Sequence, residues 1–355
     1  MELKKLHKIK FETDYQEGCH PKILERLTQT NFEQTSGYGV DSHCERAKDL
    51  IRKRIAKDKA EVFFLAGGTQ TNATIIKFLL TPCEGVISVT SGHINVHESG
   101  AIEATGHKVI TIQAHDGLMD ADDLKKYLAD FYADESYDHM VQPGMVYISY
   151  SSEYGTIYKK DMLRKIKSVC EEYNLKLFID GARLGTGLTS EASDMDIKDI
   201  ADLCDAFYIG GTKNGALFGE AVVFPAPEKF NLKNFRTLIK QQGGLLAKGR
   251  LLGLQFEVLF EDDLYFKNAR HANAQAMKIR DAFKEAGIKF FIDSHTNQLF
   301  PVLTVKQKKI LSEKFDYEIW QTLDDGKMVV RFCTSWTTSD ENVEELLSTI
   351  KNFKL

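Results

Sequence analysis

Between residues 60 and 225, short apolar runs alternate with stretches in which apolar residues recur every three or four positions. The runs EVFFLAG, GVISVT, KVITI, GMVYISYS, LKLFID, DAFYIGG and EAVVFP read as seven strands. They are nearly continuous in apolar character, the pattern of strands covered on both faces. Helical periodicity over Gln70–Leu80, Asp120–Tyr132 and Lys159–Tyr173 fills most of the gaps. The segment therefore predicts a large α/β domain with a mostly parallel seven-stranded sheet flanked by helices. Beyond residue 245 the order changes to long helices (Leu245–Phe260, Asp263–Ala286), weak strands (Lys289–Ile292, Gln298–Leu303, Lys327–Phe332) and a closing helix, Ser339–Phe353. That order predicts a smaller C-terminal α+β domain. The expected division is an arm over 1–20, a large domain over 21–244 ending at the Gly243-Gly244 pair, and a small domain over 245–355.

Composition narrows the function without naming it. A 355-residue chain with 43% hydrophobic and 27% charged residues has ample material for a packed core. The net charge of −5 argues against a dedicated nucleic-acid binder, which needs clustered Lys and Arg to neutralise phosphates. No apolar run approaches the roughly 20 residues that span a bilayer, so no membrane insertion is expected. The opening MELKKLHKIKFETD has no apolar core of a secretory signal. The six cysteines contain no C-x-x-C pair, which fits reduced thiols and a cytoplasmic setting.

In an open α/β sheet, ligands bind beyond the carboxyl ends of the strands, so the polar residues that follow apolar runs are the first candidates. After EVFFL comes Ala66-Gly67-Gly68-Thr69-Gln70-Thr71-Asn72. Its glycines let backbone approach a ligand, and the helix that follows aims its free N–H groups at an anion such as one phosphate. A plain strand-to-helix connection is the competing reading. Asp180 closes a buried strand and is followed by Gly181-Ala182-Arg183. A carboxylate there is rare without a partner; it is either the partner of a protonated pyridine nitrogen or half of a loop-capping ion pair with Arg183. Lys213 follows Gly210-Gly211-Thr212 at the end of the next strand. Desolvation there would lower its pKa and make it a Schiff-base nucleophile, although most lysines are solvated surface charges.

Two further segments carry chemistry. In Ser91-Gly92-His93-Ile94-Asn95-Val96-His97-Glu98, His93 is able to lie against an aromatic ring, and the i, i+4 spacing of His93 and His97 invites a metal reading. Glu98 does not sit between the two as in H-E-x-x-H and no third ligand is near, so no metal is expected. Arg331, in the late strand MVVRFC, would clamp a carboxylate by its planar fork; the alternative is a surface ion pair.

Taken in order, the Gly-Gly-Thr loop, His93 to Gly100 (HINVHESG), Asp180-Gly181-Ala182-Arg183 and Gly-Gly-Thr-Lys213 resemble the threonine aldolase and β-eliminating lyase family, of the aspartate-aminotransferase-like fold. Thr13-Asp14 and Tyr38-Gly39-x-Asp41 are similar to two further family segments. The resemblance implies pyridoxal 5′-phosphate (PLP) as cofactor. It implies that Lys213 is joined to PLP, that Asp180 pairs with the pyridine nitrogen, that His93 stacks on the ring, and that Gly68 and Thr69 bind the phosphate. Arg183 and Arg331 would hold the amino acid's carboxylate, with Thr13 beside them. Glu98 follows the family's acidic position and would orient water or take part in proton transfer, and His97, where Tyr is commoner, or an ordered water held by His97 or Glu98, would take the β-hydroxyl proton. The implied reaction is aldol cleavage of a β-hydroxy-α-amino acid, threonine or allo-threonine giving glycine and acetaldehyde. The alternatives are β-elimination on another amino acid and, outside enzymes, a small-anion-binding α/β protein. The family also implies a homodimer or homotetramer with the PLP site between subunits, residues 37–41 reaching a neighbour's cofactor.

Overall fold

The computed structural model describes residues 8–354. The seven apolar runs form one sheet: β1 Glu61–Leu65, β2 Glu84–Val89, β3 Val109–Ile112, β4 Gln142–Ser149, β5 Lys176–Asp180, β6 Ala206–Gly210 and β7 Glu220–Phe224. The spatial order is β1-β7-β6-β5-β4-β2-β3. Four neighbouring pairs are parallel (β2 with β3 and β4, β4 with β5, β5 with β6), whereas β7 runs against both β1 and β6. The reversal follows from loop length: residues 211–219 are too few for a crossover, so the chain turns straight back. As a consequence the N-terminus of β7 lies at the same sheet edge as the C-termini of the other strands.

Alternation along each strand divides its side chains between two cores. On β5, Leu177 and Ile179 join one core, while Phe178 joins the other with Tyr147, Tyr208 and Phe224. Most of the predicted helices stand within two residues of expectation, at Gly68–Leu79, Ala121–Ala133, Lys160–Glu172, Leu264–Glu285 and Asp340–Lys351. The helix expected to open at Leu245 begins at Arg250, because residues 243–249 make a turn led by the positive φ of Gly243. Helices Pro21–Gln29 and Ser42–Ile55 were not anticipated; the second is capped by the Asp41 side chain, which accepts from the Cys44 N–H.

In the C-terminal part, strands Gln298–Leu299, Val302–Leu303 and Glu318–Thr322 all pair antiparallel with Met328–Cys333. The expected strand over 289–292 reduces to one bridge, Phe290 to Pro301, and Pro301 divides the expected strand over 298–303 in two. A third core, from Ile279 and Phe283 to Ile350, fills this smaller α+β unit, and Phe11 of the N-terminal segment is part of it. The helix Arg250–Phe260 contributes Leu254, Phe256 and Leu259 to the core of the large sheet. Among the described residues no helix is long and apolar enough to cross a membrane.

Candidate active site

A cavity of about 300 Å³ opens at the carboxyl edge of the large sheet. Gly67, Gly68, Thr69 and Asn72 line it from the loop and helix after β1, His93 and Glu98 from the segment after β2, and Ser149 and Glu153 from the end of β4. Asp180, Ala182 and Arg183 enter after β5, Thr212 and Lys213 after β6, and Glu220 from the start of β7. Nearly every strand of the sheet's middle thus delivers a polar side chain to one hollow, for the topological reason given above.

Asp180 is 3% exposed and carries four donors. Tyr208 Oη (2.5 Å) and the Ala182 N–H (2.9 Å) donate to Oδ1, while Tyr147 Oη (2.6 Å) and Asn72 Nδ2 (2.9 Å) donate to Oδ2. Burial alone would push this carboxyl up; His93 and the hydrogen bonds outweigh it and hold the group below its ordinary value. Burial and the adjacent Asp180 charge push the Tyr147 and Tyr208 phenols well up, so both stay donors.

Asn72 is the hinge of the polar floor. The same Nδ2 that serves Asp180 also donates to Glu98 Oε1 at 2.7 Å, and that oxygen meets His93 Nδ1 at 2.8 Å. The His93 ring is thereby fixed from behind, and its own backbone N–H donates to Glu153 Oε1 (2.9 Å), which also accepts from Ser149 Oγ (2.6 Å). His97 lies one turn on, its ring centroid 5.6 Å from that of His93 and 6.3 Å from that of Trp320. Its pKa is lowered, by partial burial first and then by His93. No group of three or more His, Cys, Asp or Glu side chains suited to a metal occurs among the described residues.

Lys213 projects into the cavity from the turn after β6. Its ammonium makes no ion pair within 4.0 Å among the described residues, an unusual state for a lysine inside protein. Desolvation and the Arg183 guanidinium lower its pKa, against the pull of Asp14, Asp180 and Glu220. Lys213 and Asp180 therefore face one hollow, with the glycine loop at its rim. The helix Gly68–Leu79 has no side-chain cap on its first turn, and a Cβ on Gly68 would come 3.2 Å from Tyr208 Oη. An uncapped helix end over a close-fitting glycine is a ready anion cradle. A lone lysine, a carboxylate kept ionised and an anion cradle in one cavity match the donor set that an aldehyde-bearing phosphorylated pyridine requires, so the residues fit PLP.

The carboxylate clamps are placed differently from one another. Arg183 lines the cavity, but its fork is held by Asp14, from Nε to Oδ2 (2.7 Å) and from Nη2 to Oδ1 (3.0 Å). The loop-capping ion pair between Asp180 and Arg183, the alternative reading of this segment, is not formed; Arg183 pairs with Asp14 of the N-terminal segment instead. Nη1 makes no hydrogen bond among the described residues. Arg331 is not part of the cavity lining: it pairs with Glu318, donates to Gln298 Oε1 and the Glu12 carbonyl, and lies over the Trp320 ring at 5.5 Å. Thr13 does not line the cavity either, whereas its neighbour Tyr15 does. Residues 37–41 are also absent from this lining; the Tyr38 carbonyl accepts from Arg236 and its ring lies under Lys240 at 4.8 Å.

Sequence reading passed over Asn72, Tyr147, Glu153, Tyr208 and Glu220. For Asn72 the signal was present, an amide in the first helical turn after the glycine pair. Glu220 precedes a strand instead of following one, so a search of strand C-termini misses it; Tyr147 and Tyr208 lie inside apolar runs and read as core.

Comparison with known proteins agrees with this fold. The family model of the β-eliminating lyases matches residues 10–306. The chain is 42% identical to the solved Leishmania major threonine aldolase, covering 98% of this chain and 100% of that one with a TM-score of 0.94. It is 29% identical over 352 residues to the low specificity L-threonine aldolase of a Pseudomonas strain, covering 96% of each chain. A Thermus thermophilus aspartate aminotransferase variant shares the fold at 13% identity and a TM-score of 0.72. Fold and relatives together define a PLP-dependent lyase of the aspartate-aminotransferase-like class. The chain belongs to the β-eliminating lyase family. Membership sets aside the reading of a non-catalytic anion-binding protein.

Proposed function

We propose that the protein cleaves a β-hydroxy-α-amino acid, L-threonine or L-allo-threonine, to glycine and acetaldehyde. The observation that carries this reading is the pairing, in one cavity, of Lys213, which has no ion-pair partner among the described residues, with an Asp180 kept ionised by four donors. Bound PLP supplies the electron sink that lets a bond to the substrate's α-carbon break.

The chain's own residues do the rest. Lys213, its amine made less basic, is the attachment point for the cofactor aldehyde. Asp180 would pair with the pyridine nitrogen and keep it protonated, and Tyr147, Tyr208 and Asn72 keep that carboxylate charged and fixed. His93, pinned by Glu98, would lie against the ring, and the N–H groups at Gly68 and Thr69 would take the phosphate. Arg183 offers Nη1 to the substrate carboxylate while Asp14 fixes the guanidinium plane; the clamp expected from Arg331 and Thr13 finds no support in the cavity lining, where neither occurs. His97, its pKa lowered by partial burial and then by His93, is the group placed to accept the β-hydroxyl proton, with Glu98 orienting its neighbour His93.

Three features beyond chemistry belong to this reading. Residues 37–41 line no part of their own cavity, which supports a homodimer or homotetramer in which they complete a neighbour's site. A large and a small domain are supported by the separate cores, with the change of core inside the helix Leu264–Glu285, beyond the boundary expected at Gly243-Gly244, while the arm joins both cores through Cys19 and Phe11. Six unpaired thiols support a cytoplasmic location.

β-Elimination on another amino acid is the second reading, favoured by the family description. Assaying acetaldehyde and glycine against ammonia and keto acid, with threonine and allo-threonine as substrates, tests the proposal. Release of ammonia and a keto acid without aldehyde would reject it.

A further inference from the structure

Glu220 opens β7 opposite Leu65 of β1 and Gly210 of β6. Its carboxyl is 4% exposed and lines the cavity. Oε1 accepts from Thr212 Oγ1 (2.8 Å) and Oε2 from the Gly211 N–H (3.1 Å), the two residues that lead directly into Lys213. Thr212 Oγ1 in turn accepts from the Gly219 N–H at 3.2 Å, which closes the loop on itself. No cationic nitrogen comes within 4.0 Å of Glu220 among the described residues. A buried carboxyl with two donors and no cation in contact is costly unless the fold uses it.

We infer that Glu220 is a positioning residue for Lys213: it fixes the turn from which the lysine projects, and its charge is coupled to that of the lysine across the cavity. This rests on the reading of Lys213 as the attachment lysine. Burial pushes the Glu220 carboxyl up to about 8, against the Thr212 hydroxyl, Lys213 and the Gly211 N–H, which favour its anion. Asp180 adds to the rise, and the other groups that face Glu220 are the Tyr208 and Tyr265 phenols, both buried and neutral. Lys213 also faces Arg183, Asp14 and Asp180. Two coupled groups release their protons in two spread steps instead of independently. While Glu220 is protonated it leaves Lys213 less basic; once it ionises, it retains the lysine's proton to higher pH.

The test is the pH dependence of Lys213 labelling by acetic anhydride in the cofactor-free full chain, read by peptide mapping, for wild type and Glu220→Gln. The wild-type profile is expected to rise more gradually than a single-proton curve. The Gln variant should follow a single-proton curve and label about three- to tenfold faster above pH 8, a shift of up to one pKa step. Superimposable profiles overturn the inference. If the Gln variant does not fold, a wild-type profile that fits one proton overturns it equally, and a spread one supports it. Borohydride fixation of added PLP is measured in parallel. Absence of fixation at Lys213 rejects the attachment reading alone, because the labelling profile does not depend on it.

Discussion

Arg183 and Asp14 meet through two parallel hydrogen bonds, 2.7 and 3.0 Å long, across a cavity wall that joins the end of a sheet strand to the N-terminal segment. Asp14 is 2% exposed and also accepts from Asn297 Nδ2 at 2.9 Å. One buried contact thus ties three distant parts of the chain beside the cavity.

That pair makes stability depend on pH. Although burial would raise it, Arg183, Lys213 and the hydrogen bonds lower the Asp14 carboxyl to about 2. A carboxyl depressed in the folded state contributes stability fully above its unfolded pKa of roughly 4, and this is lost as pH falls toward 2. Asp14→Ala leaves the guanidinium buried without its partner and is expected to cost about 3 kcal/mol near neutrality. Urea melts of both proteins from pH 7 down to 3 check this; equal stability at pH 7 would sink it.

Lys213→Ala removes an amine and no core packing. Turnover should fall by more than about a thousandfold, with loss of borohydride-fixed cofactor and an unchanged far-UV spectrum. Retention of full activity rejects the attachment reading.

Asp180→Asn preserves volume while deleting the charge. The expected result is a hundredfold or larger loss of kcat, about 3 kcal/mol in the transition state, with the cofactor still fixed at Lys213. Wild-type kcat in this variant contradicts the role given to Asp180.

Asn72→Ala severs the link between Asp180 and Glu98 and leaves a buried acceptor on each short of a donor. A loss of about 1–3 kcal/mol in stability is expected. The His93 ring resonances, observed by NMR, should broaden or shift as Glu98 loses its anchor; an unmoved His93 argues against the relay.

His97→Gln tests the base. Because burial and His93 depress its pKa, the acid limb of the pH profile should lie below the unperturbed value of roughly 6.5. In the Gln variant that limb should vanish and kcat should drop by about a hundredfold. A persisting limb transfers the role to another group.

Much of this protein was legible before any coordinates. Uninterrupted apolar runs such as LKLFID are strands because only burial on both faces accounts for them, and the polar residue after each run marks the ligand edge. Asp180, Lys213, His93 and Gly68 are found that way and do share one cavity. Less regular pieces escaped: the strand Glu318–Thr322 is half-exposed and mixes polar with apolar residues, and Pro301 interrupts what hydropathy alone would join.

The sequence by itself determined the family, the layered α/β architecture and the residue types of the site, since periodicity and strand-end chemistry are local properties of the chain. Tertiary structure decided the pairings. Arg183 faces Asp14, Asn72 bridges Asp180 and Glu98, Arg331 turns to Glu318, and Glu220 reaches the cavity because β7 runs backwards. Such contacts depend on which distant backbone segments the sheet brings within about 3 Å of each other, the range at which a hydrogen bond forms, and no local pattern encodes that distance.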